Sequence, residues 1–318
     1  MSGSLLGGLM LGAVQVVVTV AAAPFLIGLI RQVRARLEGR RGAGIAQPWR
    51  DLRKLAAKEP LRANGTSPVQ WIAPLVLLGT GLLLAVLVPS IGVLGPAQLP
   101  GDLFVVVSIL LVGTVALALL GLDGGSAFGG MGSSRHMMIA ALVEPTVLLS
   151  VYALSVPVGS SVLGTIMQSR VDSPGLVAAP TGVLAVVALG IAVLAETGRM
   201  PVDNPATHLE LTMVHEAMVL ESSGRDLAWI ELGSWLRLTV LLALVADLLA
   251  PWGIATANRP GPLLVGVIAV VVKTAVLGAA LAVTEVFLAK LRLFRVPELL
   301  AGSFVLAFLA VTGSYIVG

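Results

Sequence analysis

The 318-residue chain contains no cysteine. Disulfides, thiolate metal sites and thiolate-held iron–sulfur clusters are therefore excluded within it, and any associated redox centre must sit elsewhere. Charge is scarce as well: Asp, Glu, Lys and Arg make up 12% of residues, against 57% hydrophobic ones. A soluble domain carries about twice that share of charge. With a mean hydropathy of +0.99, the chain reads as an integral membrane protein. No Lys or Arg precedes Arg31, so the first apolar run lacks the basic flank of a cleavable signal peptide and is expected to be a retained span.

Several chemical signatures are missing too. The glycine-rich stretch GLDGGSAFGGMGSSRH holds neither G-x-x-x-x-G-K-[ST] nor G-x-G-x-x-G at a strand-to-helix turn, so it is expected to form a tight loop or a close helix approach. His215 and Glu216 begin an HE pair with no second histidine one turn later, which leaves a zincin site unsupported. His208 and His215 alone do not make a metal site. No catalytic triad, internal repeat or interdomain linker is present. The expectation is one membrane domain over 1–318, without a catalytic residue or metal of its own.

What the chain does hold is a series of long apolar runs with few or no charges. A hydrocarbon layer about 30 Å thick needs roughly twenty helical residues to cross it. Such runs fall at 5–30, 70–94, 103–122, 136–157, 176–196, 229–250, 262–288 and 298–317. They predict an all-α bundle of eight transmembrane helices in contact with membrane lipids. Pro24, Pro74 and Pro145 lie inside these runs, where neighbouring helices satisfy the freed backbone groups.

Of the twenty Lys and Arg, loops 31–69, 123–135, 197–228 and 289–297 carry ten, one, two and three, whereas the alternate loops carry only Arg170 and Arg259. Basic loops face the cytoplasm, so both termini are expected on the outer side. This clustering beside apolar runs also explains the pI near 9.7 without a nucleic-acid partner. In QPWRDLRKLAAKEP, Trp49, Leu52, Leu55 and Ala56 share a helical face opposite Arg50, Arg53, Lys54 and Lys58. With Asp51, they predict an amphipathic helix lying in the interface.

Ionisable residues inside spans are costly and mark a proton, ion or substrate path. Glu144, Glu196, Asp247, Lys273 and Glu285 qualify. The predicted orientation puts the three glutamates in the cytoplasmic half, with Lys273 near the midplane, as a relay, and Asp247 towards the outer side. Arg237 is read as snorkelling to the cytoplasmic surface.

Residues 195–218 read AETGRMPVDNPATHLELTMVHEAM, an unusual concentration of acids and histidines in a long loop between helices five and six. Thr207 and Glu210 have capping-box spacing, which predicts a helix through THLELTMVHEAMVLES. Glu210 and Glu221 would share one face of it, and Leu211, Val214 and Met218 another.

This stretch resembles the AET-x-R-x-P-x-D motif and acid-rich loop of the family containing the eight-helix heel subunit of respiratory complex I and its counterpart in membrane-bound group 4 nickel–iron hydrogenases. RARLEGRRGAGIAQPWRDLRKLAAKE, GMGSSRHMMIAALVEPTVLL and AKLRLFRVPELL are similar to other segments of that family, so the resemblance covers nearly the whole chain. The HLELTMVHEAM form resembles the hydrogenase branch, formate hydrogenlyase and related energy-converting complexes.

The resemblance implies a prokaryotic plasma-membrane subunit that anchors peripheral iron–sulfur and hydrogenase-like large and small subunits beside antiporter-like membrane subunits. Iron–sulfur clusters and a nickel–iron centre would belong to those partners. Glu144 would belong to the buried acid chain, with Glu196, Arg199 and Asp203 in the conducting and docking motif at the fifth-helix end and His208, Glu210, His215, Glu216 and Glu221 in the coupling loop. Two other readings stay open: a subunit forming a quinone pocket in a complex I-like oxidoreductase, and an autonomous ion or solute transporter.

Overall fold

The computed structural model describes residues 2–62, 65–93, 101–173, 175–203, 213–256, 259–288, 291 and 295–317. Among the described residues the architecture is helical, and backbone pairing between extended segments is limited to isolated bridges, Gly92 with Ala255 and Asp102 with Val162.

The helices are α1 (Ser2–Leu37), α2 (Gln47–Ala56), α3 (Val69–Leu87), α4 (Leu103–Asp123), α5 (Ala127–Ser155), α6 (Leu163–Asp172), α7 (Gly175–Ala178), α8 (Pro180–Glu196), α9 (His215–Val219), α10 (Gly224–Leu249), α11 (Pro260–Phe287) and α12 (Val296–Val317). Among the described residues, α1, α3, α4, α5, α10, α11 and α12 are long and apolar enough to cross a membrane. The fifth expected span corresponds to α8, a shorter apolar helix of 17 residues.

Several boundaries depart from the hydropathy reading for local reasons. α1 continues through Arg31, Arg34 and Arg36, because arginine is a good helix former, and this carries the basic side chains beyond the apolar run. α3 stops at Leu87, with Val88 extended at ψ 109, because the residue before Pro89 is pushed out of the helical region. α5 begins nine residues before its expected start. Ser126 opens it by accepting from Gly129 N at 3.1 Å.

α10 is the centre of the bundle. Its most apolar window is 78% buried, against 28% for α12. It packs on α1, α3, α8 and α11, while α5 packs on α4, α8 and α12. Outward faces of α1 and α11 leave Val17, Leu264 and Val276 exposed, an apolar surface suited to lipid. Gln15 locks α1 to the end of α3, its Nε2 donating to the carbonyls of Ala85 and Val88, each at 2.7 Å.

One end of the bundle gathers α2, α9 and the segments that follow α8 and α11. Arg62 binds Asp226 Oδ2 from Nε and Nη2 at 2.9 and 2.7 Å, and Leu291 N donates to Pro201 O at 3.0 Å. The opposite end is tied by Ser161 Oγ donating to Asp102 at 2.5 Å and Arg170 Nη1 donating to Leu248 O at 2.6 Å.

The amphipathic helix is present as α2. Pro48 and Leu52 are its buried residues and Leu55 is half-buried against the core. Ala56, expected on the inner face, is exposed, as is Trp49, which instead meets Phe25 with ring centroids 6.3 Å apart. Arg50, Arg53 and Lys54 are exposed, and Asp51 accepts from Gln47 Nε2 at 2.9 Å.

Candidate functional site

The AET-x-R-x-P-x-D stretch forms a compact turn in which each polar residue has an assignment. Gly198, at φ +59, ends α8. Gly198 N returns to Ala195 O at 3.1 Å and Arg199 N to Leu194 O at 2.9 Å, the paired bonds of a Schellman motif that needs a left-handed residue. The chain therefore reverses with Arg199 directed at α11, where its Nη1 lies 3.3 Å from Glu285 Oε1. Arg34 of α1 approaches the other oxygen of Glu285 at 3.9 Å. Four residues beyond Arg199, buried Asp203 accepts from His215 N at 3.1 Å, which satisfies a free donor at the start of α9.

Glu196, at the end of α8, pairs with Arg237 of α10. Arg237 Nη2 also donates to Leu110 O at 2.9 Å and Thr114 Oγ1 at 2.7 Å. The expectation that Arg237 snorkels is thus corrected: acceptors on α4 and α8 hold it inside the bundle. Glu144 of α5 lies close enough to Glu196 and Arg237 to interact electrostatically with both, and its buried Oε1 has no hydrogen-bond partner.

Glu196 and Arg237, but not Glu144, border a cavity of about 250 Å³ between α1, α3, α4, α5, α8, α9, α10 and α11. Glu196, Arg199, Asp203, His215, Glu216 and Glu285 all line it. Four further charged or imidazole side chains enter that sequence reasoning had not singled out as site residues: Arg31, Arg34, His136 and Glu231. Arg31 lies over the Trp235 ring at 5.8 Å. His136 Nε2 is buried without a partner. Glu231 stands near the beginning of an otherwise apolar run, and that position was the only available signal.

Burial pushes the His215 imidazole below its ordinary value, against the opposing pull of Glu231 and Asp203. Arg199 is likewise lowered by burial, with Glu285 opposing.

α9 is seated by small residues. A Cβ added at Gly132 would meet Ala217 Cβ at 2.9 Å and Val214 O at 3.0 Å. The glycine-rich stretch therefore provides both the turn before α5 and a close helix approach. Of the helix predicted through residues 207–222, residues 207–212 lie outside the described residues, Met213 and Val214 are non-helical, and α9 spans His215–Val219. His208 and Glu210 lie outside the described residues. Glu221 is exposed, away from the cavity.

Lys273 does not join the cavity glutamates. Its Nζ lies 2.7 Å from Asp247 Oδ1, and Glu285 is twelve residues further along α11, about 18 Å of rise. The expected relay therefore divides into a cavity group and a separate Lys273–Asp247 pair. Among the described residues, no cluster of three His, Cys, Asp or Glu is arranged to hold a metal ion.

A helical membrane protein with charge-paired side chains around a cavity at one end defines the class. The model of the family described as NADH dehydrogenase matches residues 9–314, and the chain belongs to that family. It is 32% identical over 297 residues to "Formate hydrogenlyase subunit 4" of Escherichia coli (strain K12), covering 93% of this chain and 95% of that one. To "Hydrogenase-4 component C" of the same strain it is 32% identical over 296 residues, covering 93% and 92%. To an NADH-quinone oxidoreductase subunit of Aquifex aeolicus (strain VF5) it is 28% identical over 222 residues, covering 65% and 63%. A chain in the structure of the membrane-bound sulfane sulfur reductase, an archaeal respiratory membrane complex, shares the fold with a TM-score of 0.82 at 16% identity, covering 97% of this chain and 99% of that one. With its apolar helices, this relatedness makes the chain a multi-pass membrane protein.

Proposed function

We propose that the chain is a non-catalytic membrane subunit that anchors a cytoplasmic iron–sulfur and hydrogenase-like arm and couples its electron transfer to proton or sodium movement. The full-length similarity to subunits of formate hydrogenlyase and hydrogenase-4 supports this reading. The carrying observation is the cavity: Arg199 links the loop after α8 to Glu285, while Glu196 pairs with Arg237 and Glu144, outside the lining, feels the charge of both. A partner pressing on residues 197–223 would move Arg199 and α9 directly. Buried ion pairs are sensitive to such displacement, because attraction falls with distance while the desolvation cost remains. Shifting Arg199 would therefore change the charge balance at Glu285, biasing a two-state element of the membrane bundle.

In this reading α8 counts as the eighth span, since 17 residues reach about 26 Å, at the lower limit for crossing. The chain is one membrane domain, the cavity end faces the cytoplasm, and both termini lie outside. Peripheral subunits with iron–sulfur clusters, together with a nickel–iron subunit in a hydrogenase-type assembly, dock on the cavity end. Antiporter-like subunits bind laterally.

Purification in gentle detergent, followed by metal analysis and identification of companion chains, tests the anchoring role. Recovery of nickel and iron–sulfur subunits supports it, and a functional lone polypeptide would restore the transporter reading. Glu144→Gln tests coupling: the complex should assemble and transfer electrons while moving fewer ions per electron. The cavity and the likeness to quinone oxidoreductase subunits favour a second reading, a quinone pocket. A photoreactive quinone that labels α1 or the α8–α10 loop would support it.

A further inference from the structure

We infer that Lys273, Asp247 and Trp252 form a proton-exchange station in this chain at the end of the bundle opposite the cavity, fed through a small pocket that four hydroxyls border among valines and alanines. It deepens the coupling reading above and rests on it.

The pair is enclosed. The Lys273 and Asp247 side chains are 5% and 1% exposed, with Nζ 2.7 Å from Oδ1, and Asp247 Oδ2 is buried without a hydrogen-bond partner. A carboxylate with one oxygen unsatisfied in a bundle core is costly unless a proton or water reaches it. Lys273 Nζ also lies 5.0 Å from the Trp252 ring centroid, a distance suited to a cation–π contact. Trp252 is itself 60% exposed, so one indole stands between the pair and the surface. Its segment is strapped across the bundle end by Ala255 N donating to Ile91 O at 3.0 Å and Val93 N to Ala255 O at 2.9 Å. Among the described residues, the other charged side chain bonded to this end of α10 is Arg170, on the Leu248 carbonyl.

Towards the cavity, a pocket of about 20 Å³ lies between α1, α10, α11 and the exit of α3, lined in part by Thr19, Ser90, Thr239 and Thr274. That volume is about enough for one water. The three threonine hydroxyls donate to carbonyls of their own helices and retain acceptor capacity for it. Thr274 follows Lys273 directly, and Thr239 follows Leu238, which lines the large cavity. Along α10, the cavity, pocket and pair therefore occur in order, with about 12 Å of rise from Thr239 to Asp247.

The chemistry balances without a redox partner. Within the pair, the ammonium proton passes to the carboxylate, leaving a neutral amine and a carboxylic acid. A proton arriving through the pocket water then binds the amine as the carboxylic proton leaves past Trp252. One proton has entered, one has left, and the ion pair is restored.

The test uses the whole assembly in sealed vesicles, with electron transfer and proton release measured together. Asp247→Asn should lose proton release. Lys273→Met/Asp247→Leu removes both charges and should restore the stability lost in either single variant, yet still fail to release protons. Thr274→Val, which keeps the side-chain shape, should slow release without loss of assembly. Infrared difference spectra of the unaltered complex should show a carboxylic acid band absent from Asp247→Asn. Normal proton release in the double or Thr274→Val variant, or no Asp247-dependent band, would overturn the station. Sodium movement without proton release in the unaltered complex would overturn the station alone, whereas absence of any electron-driven proton or sodium movement would sink the coupling reading on which it rests.

Discussion

Replacing Glu285 with glutamine offers a direct test of the cavity's electrostatics. The carboxylate, 1% exposed, lies 3.3 Å from Arg199 and 3.9 Å from Arg34. At an effective dielectric of about 20, unit charges at these separations attract by about 5 and about 4 kcal/mol. Most of that attraction offsets the desolvation of three charges. Arg34, with a 22% exposed side chain, keeps more water than Arg199, so the loss falls mainly on Arg199. Breaking a buried pair by removing one partner costs about 3–5 kcal/mol, and partial hydration places Glu285→Gln near the lower figure. Arg199→Met should cost about 2 kcal/mol, because Arg34 still faces Glu285. The double variant should cost no more than the larger single change, a coupling of about 2 kcal/mol. Unfolding in mild detergent, followed by tryptophan fluorescence, measures all three. Strictly additive losses, or singles within about 0.5 kcal/mol of the unaltered protein, would refute the reasoning.

The lowered pKa of His215 makes a pH prediction with a definite sign. An unfolded chain binds a proton at the ordinary value of 6.5, whereas the folded site resists it. Stability should be fully present above that value and fall as pH drops towards the folded pKa. His215→Gln should weaken this dependence in a melting-temperature series. Gly132→Val should push α9 off α5, at a cost of about 1–3 kcal/mol, and lower the yield of the assembled complex more than that of the membrane chain. Arg62→Ala removes an ion pair in which Nε and Nη2 both donate to Asp226 Oδ2 and the arginine is 39% exposed. Its cost should stay under about 1 kcal/mol and shrink as salt is raised in chemical unfolding.

The architecture was readable wherever a physical demand acts along the chain. Apolar runs follow from the thickness of the hydrocarbon layer, and the alternation in α2 follows from one wet and one buried face. Prolines 24, 74 and 145 sit inside helices as expected. What could not be read was side-chain pairing between spans. Where a helix is apolar on every side, periodicity does not specify which face meets which neighbour. The sequence therefore offered Lys273 to the cytoplasmic acids, while the packing of α10 against α11 gives it Asp247. Arg237 and Glu231 carried the same ambiguity: an ionisable residue one or two turns into a span can face water, lipid or protein. α9 was obscured differently. Helix propensity favours one run through residues 207–222, but Asp203 bonds the N–H of His215 and Gly132 receives Ala217, so helix begins there through tertiary contacts.

The central claim is that this chain ties a metal-bearing redox arm to ion movement in the bilayer. Its most direct measurement is ion translocation per electron in vesicles holding the intact purified assembly, compared between the unaltered complex and Glu144→Gln. A reduced ratio, with electron transfer and subunit composition preserved, is the predicted result. An unchanged ratio, or purification of a chain with no electron-carrying companions, would contradict it.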